Sequence, residues 1–163
     1  MPPPAKKSVE SAVDLTLYKY LLPEGEWQEL WFATLVRPWS SLVIVPASPQ
    51  VSGLVVASAL ADVAKLHRAK PVQMVTAEAT ELVDANALIE SVRHQTSRGE
   101  LVIIAVGSLF ENQAAIPIAR AADAALLCVA LGESDFNSAE KTLQMVGRDR
   151  FIGSVNIAPN DRR

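Results

Sequence analysis

Several features that are common in proteins are missing from this chain of 163 residues, and each absence narrows its possible functions. The single cysteine, Cys128, excludes an internal disulfide and is typical of a reducing compartment. No apolar run approaches the roughly 20 residues that span a bilayer, so we predict no direct membrane insertion. The formal net charge of −3 provides no field for gathering phosphates, which argues against nucleic-acid binding as a main role.

The motifs of common catalytic and cofactor sites are missing as well. The sequence has no G-x-G-x-x-G for a dinucleotide, no G-x-S-x-G elbow for a hydrolase and no carboxylate cluster of the receiver-domain kind. The two histidines, His67 and His94, have no Cys, His or Asp partner at metal-ligand spacing. We therefore predict no metal site and no cofactor, and we expect Cys128 to be a buried strand residue.

What the chain does contain is a regular alternation of strand and helix patterns. Near-continuous Val, Ile and Leu runs indicate strands covered on both faces, and their alternation with helices indicates a mostly parallel sheet of about five strands. Right-handed crossovers make this a three-layer α/β/α sandwich. The first predicted strand begins near Ser41, and the other four cover 71–75, 101–106, 124–131 and 151–157. The predicted helices cover 15–22, 26–36, the stretch after Gly53 with Ser52 as its cap, the stretch from a capping Asp84 to about Gly99, then 114–122 and 134–146. We expect residues 1–10 to be a disordered leader and residues 11–163 to form a single domain.

The turn after the first strand is the most informative segment. The strand S-L-V-I-V-P at 41–46 runs into A-S-P-Q-V-S-G at 47–53 and then into an apolar helix, which is where nucleotide-binding α/β proteins have their phosphate loop. A working loop reads G-x-x-x-x-G-K-[ST], in which the lysine reaches the β and γ phosphates and the hydroxyl holds Mg²⁺. Here Gly53 is followed by Leu54 and Val55, so both chemical groups are missing.

The order of these patterns resembles the MinD/ParA-type P-loop ATPases. The segments E-L-V-I-I-A-V at 100–106 and A-A-D-A-A-L-L-C-V at 121–129 are similar to the cytoplasmic domain of bacterial tyrosine autokinases of exopolysaccharide export. That branch reads approximately V-I-I-D-x-P-P, then a helix, then A-D-x-x-L-L-V-V, a helix and G-x-V-x-N. The resemblance covers roughly residues 26 to 160 and implies a P-loop NTPase-like fold.

The chain departs from this family wherever the family performs chemistry. The family's Asp-x-Asp motif after the second strand is matched by Thr76 and Glu78, and Ala105 stands where the third strand should end in Asp. The family's C-terminal tyrosine cluster is also missing. Phosphoryl transfer depends on positioning and on charge stabilisation by lysine, metal and carboxylates, so we predict an inactive pseudoenzyme. The degenerate nucleotide-loop positions are Gln50, Ser52, Gly53, Leu54, Val55, Thr76, Glu78 and Ala105.

Three tryptophans form the second candidate feature. Trp27 and Trp31 fall on one face of the helix predicted over 26–36, and Trp39 follows shortly after. They either pack on the sheet or form an exposed surface for a partner protein, since such aromatic residues dominate many interfaces. In the autokinases the corresponding helix supports subunit assembly through an E-x-x-R-x-x-R pattern, whose arginines are missing here.

By this resemblance we expect a cytoplasmic, catalytically inactive kinase-like scaffold or regulator of bacterial polysaccharide synthesis and export. Its partner would be a membrane-embedded copolymerase, which would hold it at the inner membrane, or an active kinase relative, with a homo-oligomer as a further option. Two alternatives stay open. One is a small-ligand or nucleotide sensor that uses a crevice near Gln50, Ser52, Glu78 and Ser108. The other is a MinD/ParA-like polarity or partitioning adaptor.

Overall fold

A computed structural model describes residues 24–67, 70–132 and 134–157 of the chain. Within these residues, five strands form one all-parallel sheet, and five α-helices cover it on both faces in a three-layer α/β/α sandwich, as the sequence pattern predicts. The strands are β1 (Ser41–Pro46), β2 (Val72–Ala77), β3 (Leu101–Val106), β4 (Ala124–Ala130) and β5 (Phe151–Ile157), and the helices are α1 (Glu24–Thr34), α2 (Leu54–His67), α3 (Ala85–Ser97), α4 (Ala115–Ala121) and α5 (Phe136–Val146).

The strand order across the sheet is β2-β3-β1-β4-β5. Strands β1 and β3 are buried at every position, because neighbours flank them on both sides and helices cover both faces. Successive side chains of a strand point to opposite faces. Ile44 of β1 accordingly lies in the core under α1 and α2, whereas Val43 and Val45 lie in the second core under α3 and α4.

Most of the predicted elements occur within a few residues of their predicted bounds. The predicted helix over 15–22 and the leader over 1–10 lie outside the described residues. Asp84 does not cap α3 as predicted. It ends a 3₁₀ turn, Leu82–Asp84, with φ −97° and ψ −1°, and its side chain makes no capping hydrogen bond. A capping residue needs extended backbone, which the preceding turn denies to Asp84.

The three tryptophans do not form a partner surface, which corrects one of the two sequence-based interpretations. Trp27, Trp31 and Trp39 are only 6, 1 and 8% exposed and belong to the core between α1, α2 and the sheet. The rings of Trp31 and Trp39 meet edge-on with centroids 6.0 Å apart, and Trp39 Nε1 donates to the Thr34 carbonyl at 3.0 Å. The aromatic face of α1 therefore closes the core.

The longest described helix, α2, has 14 residues. No helix in the described part of the chain is long and apolar enough to cross a membrane.

Candidate functional site

Switch points of the sheet lie on both sides of β1, between β1 and β3 and between β1 and β4. The chain leaves β1 towards α2 on one face of the sheet, whereas it leaves β3 towards α4 on the other face. In open parallel sheets, ligands bind in the crevice outside the carboxyl ends of the strands at such a point. The predicted nucleotide-loop positions follow β1 and lie at or near the ends of β2 and β3, so the fold directs them to this edge, which we call the carboxyl edge.

Two of the predicted site residues are joined directly. Ser52 Oγ donates to Glu78 Oε2 at 2.9 Å and accepts from the Leu54 backbone N–H at 3.1 Å. The predicted cap is displaced by one residue, because the Ala57 N–H bonds the Gly53 carbonyl and Gly53 is therefore the capping position. The Ser52 hydroxyl still satisfies the N–H of the first residue of α2, and it ties the loop after β1 to the loop after β2. Because β3 lies between these two strands, the hydrogen bond spans the end of β3 and closes the crevice. Burial raises the pKa of the Glu78 carboxyl, and the hydrogen bond from Ser52 partly opposes that shift.

The loop after β1 is packed against its own strand. A Cβ at Gly53 would lie 3.0 Å from Ile44 Cγ2 and 3.3 Å from the Ile44 carbonyl oxygen, so any larger residue would require Ile44 to move by a few tenths of an ångström. Val51 and Leu54 are half-buried against the core, and Val55 is fully inside it. A phosphate-binding loop instead needs room and backbone N–H groups that point at the ligand. Val55, at the position predicted to correspond to the metal-binding hydroxyl, points into the core.

The remaining predicted positions do not take part in the hydrogen bonding between Ser52 and Glu78. Gln50 and Thr76 are exposed, whereas Ala105 is fully buried. Ser108, which the sensor alternative requires, is buried, and its Oγ accepts from the Phe110 backbone N–H at 3.1 Å. Among the described residues, no hydrogen bond joins Gln50, Thr76 or Ser108 to the Ser52–Glu78 pair.

Asn112 is a structural residue of the site that the sequence analysis missed. Its Nδ2 donates to the carbonyl oxygens of Glu78 and Thr80 at 3.0 and 2.9 Å, and its Oδ1 accepts from the Ala114 backbone N–H at 3.0 Å. Asn112 thereby fastens the loop after β3 to the loop after β2. An asparagine two residues before the small apolar residues that open α4 is an Asx-type signal, and this signal was available in the sequence.

The described loops of the carboxyl edge carry charges of one sign only. The described parts of the loops that join each of β1, β2, β3 and β4 to the following helix contain five acidic side chains and neither lysine nor arginine. The acids are Glu78, Glu81, Asp84, Glu111 and Asp135. Acidic residues near helix N-termini are favoured by the helix dipole, which accounts for part of this pattern. The resulting field repels a triphosphate instead of attracting it.

Apolar side chains are exposed on the same edge. Val83 and Phe136 are 82 and 77% exposed, and Leu82, Phe110 and Leu131 are 44 to 55% exposed. We call these five residues the apolar rim. They follow β2, β3 and β4, which span three strand spacings or about 14 Å. Exposed apolar groups that gather on one edge are typical of protein interaction sites.

Neither a group of metal-binding side chains in the described residues nor a matching protein family assigns a function to the carboxyl edge. In the ranges 24–67, 70–132 and 134–157, no three His, Cys, Asp or Glu side chains are grouped closely enough to hold a metal ion. Comparison of the chain with models of known protein families and with curated proteins gives no match.

Proposed function

We propose that this chain is a non-catalytic P-loop-like protein that acts as a scaffold or regulator through protein contacts. The observation that carries the proposal is the closed loop after β1. Ser52 is hydrogen-bonded to Glu78. By the resemblance, Leu54 and Val55 correspond to the lysine and the hydroxyl of a working phosphate loop. A Mg·ATP site of the phosphate-loop kind needs a cation at this place, and the described part of the edge offers carboxylates.

The apolar rim supports a protein as the ligand of this edge. A triphosphate gains nothing from exposed leucine, valine and phenylalanine side chains, whereas a partner protein that covers them removes apolar surface from water. The setting in bacterial polysaccharide synthesis and export, with a membrane-embedded copolymerase or an active kinase relative as partner, rests on the family resemblance. The alternative role as a polarity or partitioning adaptor rests on the same resemblance.

Nucleotide binding is the direct test of the closed loop. We expect isothermal titration of the protein with MgATP and MgADP to show no binding in the micromolar range, and incubation with labelled MgATP to label neither Tyr18 nor Tyr20. Glu78→Gln serves as a matched variant, because it removes the carboxylate while keeping a group that can accept from Ser52. We expect this variant to remain inactive as well, since it restores no cation. Micromolar binding by the wild type would overturn the proposal.

Partner binding tests the second half of the proposal. We expect the doubly substituted Leu131→Asp/Phe136→Asp variant to lose capture of the partner from a lysate of the organism of origin and to reduce exported polysaccharide when it replaces the wild type. Leu66→Asp is the matched control, because Leu66 is 71% exposed but lies on the last turn of α2. Equal loss of capture and of polysaccharide in both variants would show that the rim is not the partner surface.

A small-ligand sensor is the second candidate, and the position of the Ser52–Glu78 pair at the switch point between β1 and β3 favours it. A polar ligand that enters this crevice has to replace the 2.9 Å hydrogen bond between the two side chains. Screening small metabolites by thermal shift tests this function. A ligand that stabilises the wild type but not Glu78→Gln would support the sensor, whereas a screen without such a ligand favours the protein-contact function.

A further inference from the structure

The opposite edge of the sheet, which we call the amino edge, carries a shallow groove. It is formed by the connection from α1 to β1 together with Lys70 and Asp123, which precede β2 and β4. Its volume is about 580 Å³, within the range of roughly 300–1,000 Å³ that is usual for binding pockets. Leu35, Pro38 and Trp39 give it an apolar wall.

Two cations line this amino-edge groove and lack a carboxylate partner among the described residues. Arg37 Nη2 donates to the Arg150 carbonyl oxygen at 2.8 Å, and neither Arg37 nor Lys70 forms an ion pair with a described side chain. The acid of the groove, Asp123, is already engaged, because its Oδ2 accepts from two backbone N–H groups at 2.8 and 3.1 Å. The two cations therefore remain available to external carboxylates.

A projection of complementary chemistry lies on the carboxyl edge. It consists of Glu81, Leu82, Val83 and Asp84, which we call the acidic turn. Its two apolar side chains are 55 and 82% exposed, and neither of its carboxylates makes a capping hydrogen bond or an ion pair with a described residue. The helix dipole favours acids near α3, but it gives no reason for the exposed Leu82 and Val83.

We propose that the acidic turn of one copy of this chain docks into the amino-edge groove of a second copy. Leu82 and Val83 lie against the apolar wall, and the two carboxylates lie next to Arg37 and Lys70. The two surfaces are on opposite edges of one sheet, so the contact is head-to-tail. Such a heterologous contact continues to a third copy, and the result is a filament unless the rotation closes a ring. Of the apolar rim, the contact uses Leu82 and Val83 but neither Leu131 nor Phe136, where the proposed partner surface is tested. It also leaves the loop after β1 untouched, so it stands or falls independently of nucleotide binding and of that partner test.

Charge reversal on both sides of the contact is the test. The first variant is Glu81→Lys/Asp84→Lys, and the second is Arg37→Glu/Lys70→Glu. We expect sedimentation at low ionic strength to show reversible self-association of the wild type and an association at least about tenfold weaker for each variant alone. An equimolar mixture of the two variants should associate again, because every mixed contact pairs opposite charges. Added salt should weaken the wild-type contact, since ionic strength screens exposed charges.

Two controls keep the test decisive. Glu26→Lys/Glu29→Lys changes the net charge by the same amount as the first variant, on the exposed side of α1, and should leave self-association unchanged. If the second variant fails to fold because Arg37 loses its bond to the Arg150 carbonyl oxygen, Lys70→Glu alone replaces it, since Lys70 is exposed. A wild type that stays monomeric at millimolar concentration and low salt would overturn the proposal. So would a mixture of the two variants that fails to associate, or a control that is weakened as much as they are.

Discussion

The Ser52 hydroxyl makes two bonds at the carboxyl edge, and its removal gives a quantitative test of the closed loop. Ser52→Ala loses the bond from the Leu54 N–H, which we expect to contribute about 1 kcal/mol because it satisfies a free N–H at the start of a helix. It also loses the bond to Glu78. A hydrogen bond to a charged group contributes more than one between neutral groups, but solvent weakens this bond because Glu78 is only partly buried, so we expect a contribution of about 1 kcal/mol. We expect urea unfolding at pH 7 to show a loss of about 2 kcal/mol with an unchanged m-value, or about 4–8 °C in Tm.

The pH dependence of this loss identifies the Glu78 contribution. Burial raises the pKa of Glu78, so the folded state favours the protonated carboxyl. The free-energy cost of burying the charged carboxylate is therefore present at pH 7 and disappears as the pH falls. The Ser52 bond opposes this cost, and its removal raises the Glu78 pKa further. At pH 4, below even the ordinary value of 4.5, the carboxyl is largely protonated in both proteins and offers Ser52 only a neutral acceptor, so the loss caused by Ser52→Ala should be smaller than at pH 7. Glu78→Gln should remove this difference between the two pH values.

A double-mutant cycle and a control complete the experiment. The cycle of Ser52→Ala and Glu78→Ala, in which each substitution removes one partner of the bond, should give a coupling energy of about 1 kcal/mol at pH 7. Ser58→Ala, on the same helix and without a side-chain hydrogen bond, should change stability by less than about 0.5 kcal/mol. A loss below about 0.5 kcal/mol for Ser52→Ala, or the same loss at both pH values, would refute the argument that this bond closes the crevice.

Four further experiments test the packing of the loop after β1, of α1 and of the core. Gly53→Ala should destabilise the protein by about 1–3 kcal/mol, because its Cβ would press on Ile44. The control Gly25→Ala should stabilise α1 by up to about 1 kcal/mol, because a Cβ there meets nothing within 4 Å. Equal urea midpoints for the two variants would contradict this prediction. Trp31→Ala should cost about 3–5 kcal/mol in the same assay, and a loss below about 1 kcal/mol would be incompatible with its burial. Burial raises the pKa of Cys128 to about 12, so iodoacetamide at pH 8 should alkylate the thiol only in urea, and fast alkylation of the native protein would refute this.

The strands were predictable from the sequence because their signal is local. The bounds of β3 and β5 match the prediction, since a run of branched apolar residues between turn signals reports its own burial. The tryptophans show the limit of such signals. Their spacing predicted that Trp27 and Trp31 share a face of α1, but it could not tell whether protein or solvent covers that face. The answer depends on α2 and the sheet, which are distant in sequence.

The candidate site was predictable in part. The bond from the Leu54 N–H to the Ser52 hydroxyl is a local feature, since it joins residues two positions apart at the start of α2, although the capping position is Gly53 and not Ser52. The predicted cap at Asp84 was wrong because a 3₁₀ turn, which the apolar pattern does not signal, changes the backbone at that residue. The bond from Ser52 to Glu78 joins residues 26 positions apart, so only the arrangement of the strands could show it.

The sequence alone determined that the chain alternates strands and helices and that no lysine follows Gly53, because periodicity and residue identity do not depend on the fold. The tertiary structure decided how these parts meet. Placing β3 between β1 and β2 brings Ser52 to Glu78 across its end, and parallel pairing collects the acidic loops and the apolar rim on one edge of the sheet, opposite Arg37 and Lys70. The reason is that strand order and strand direction arise from contacts between distant segments, which no local pattern encodes.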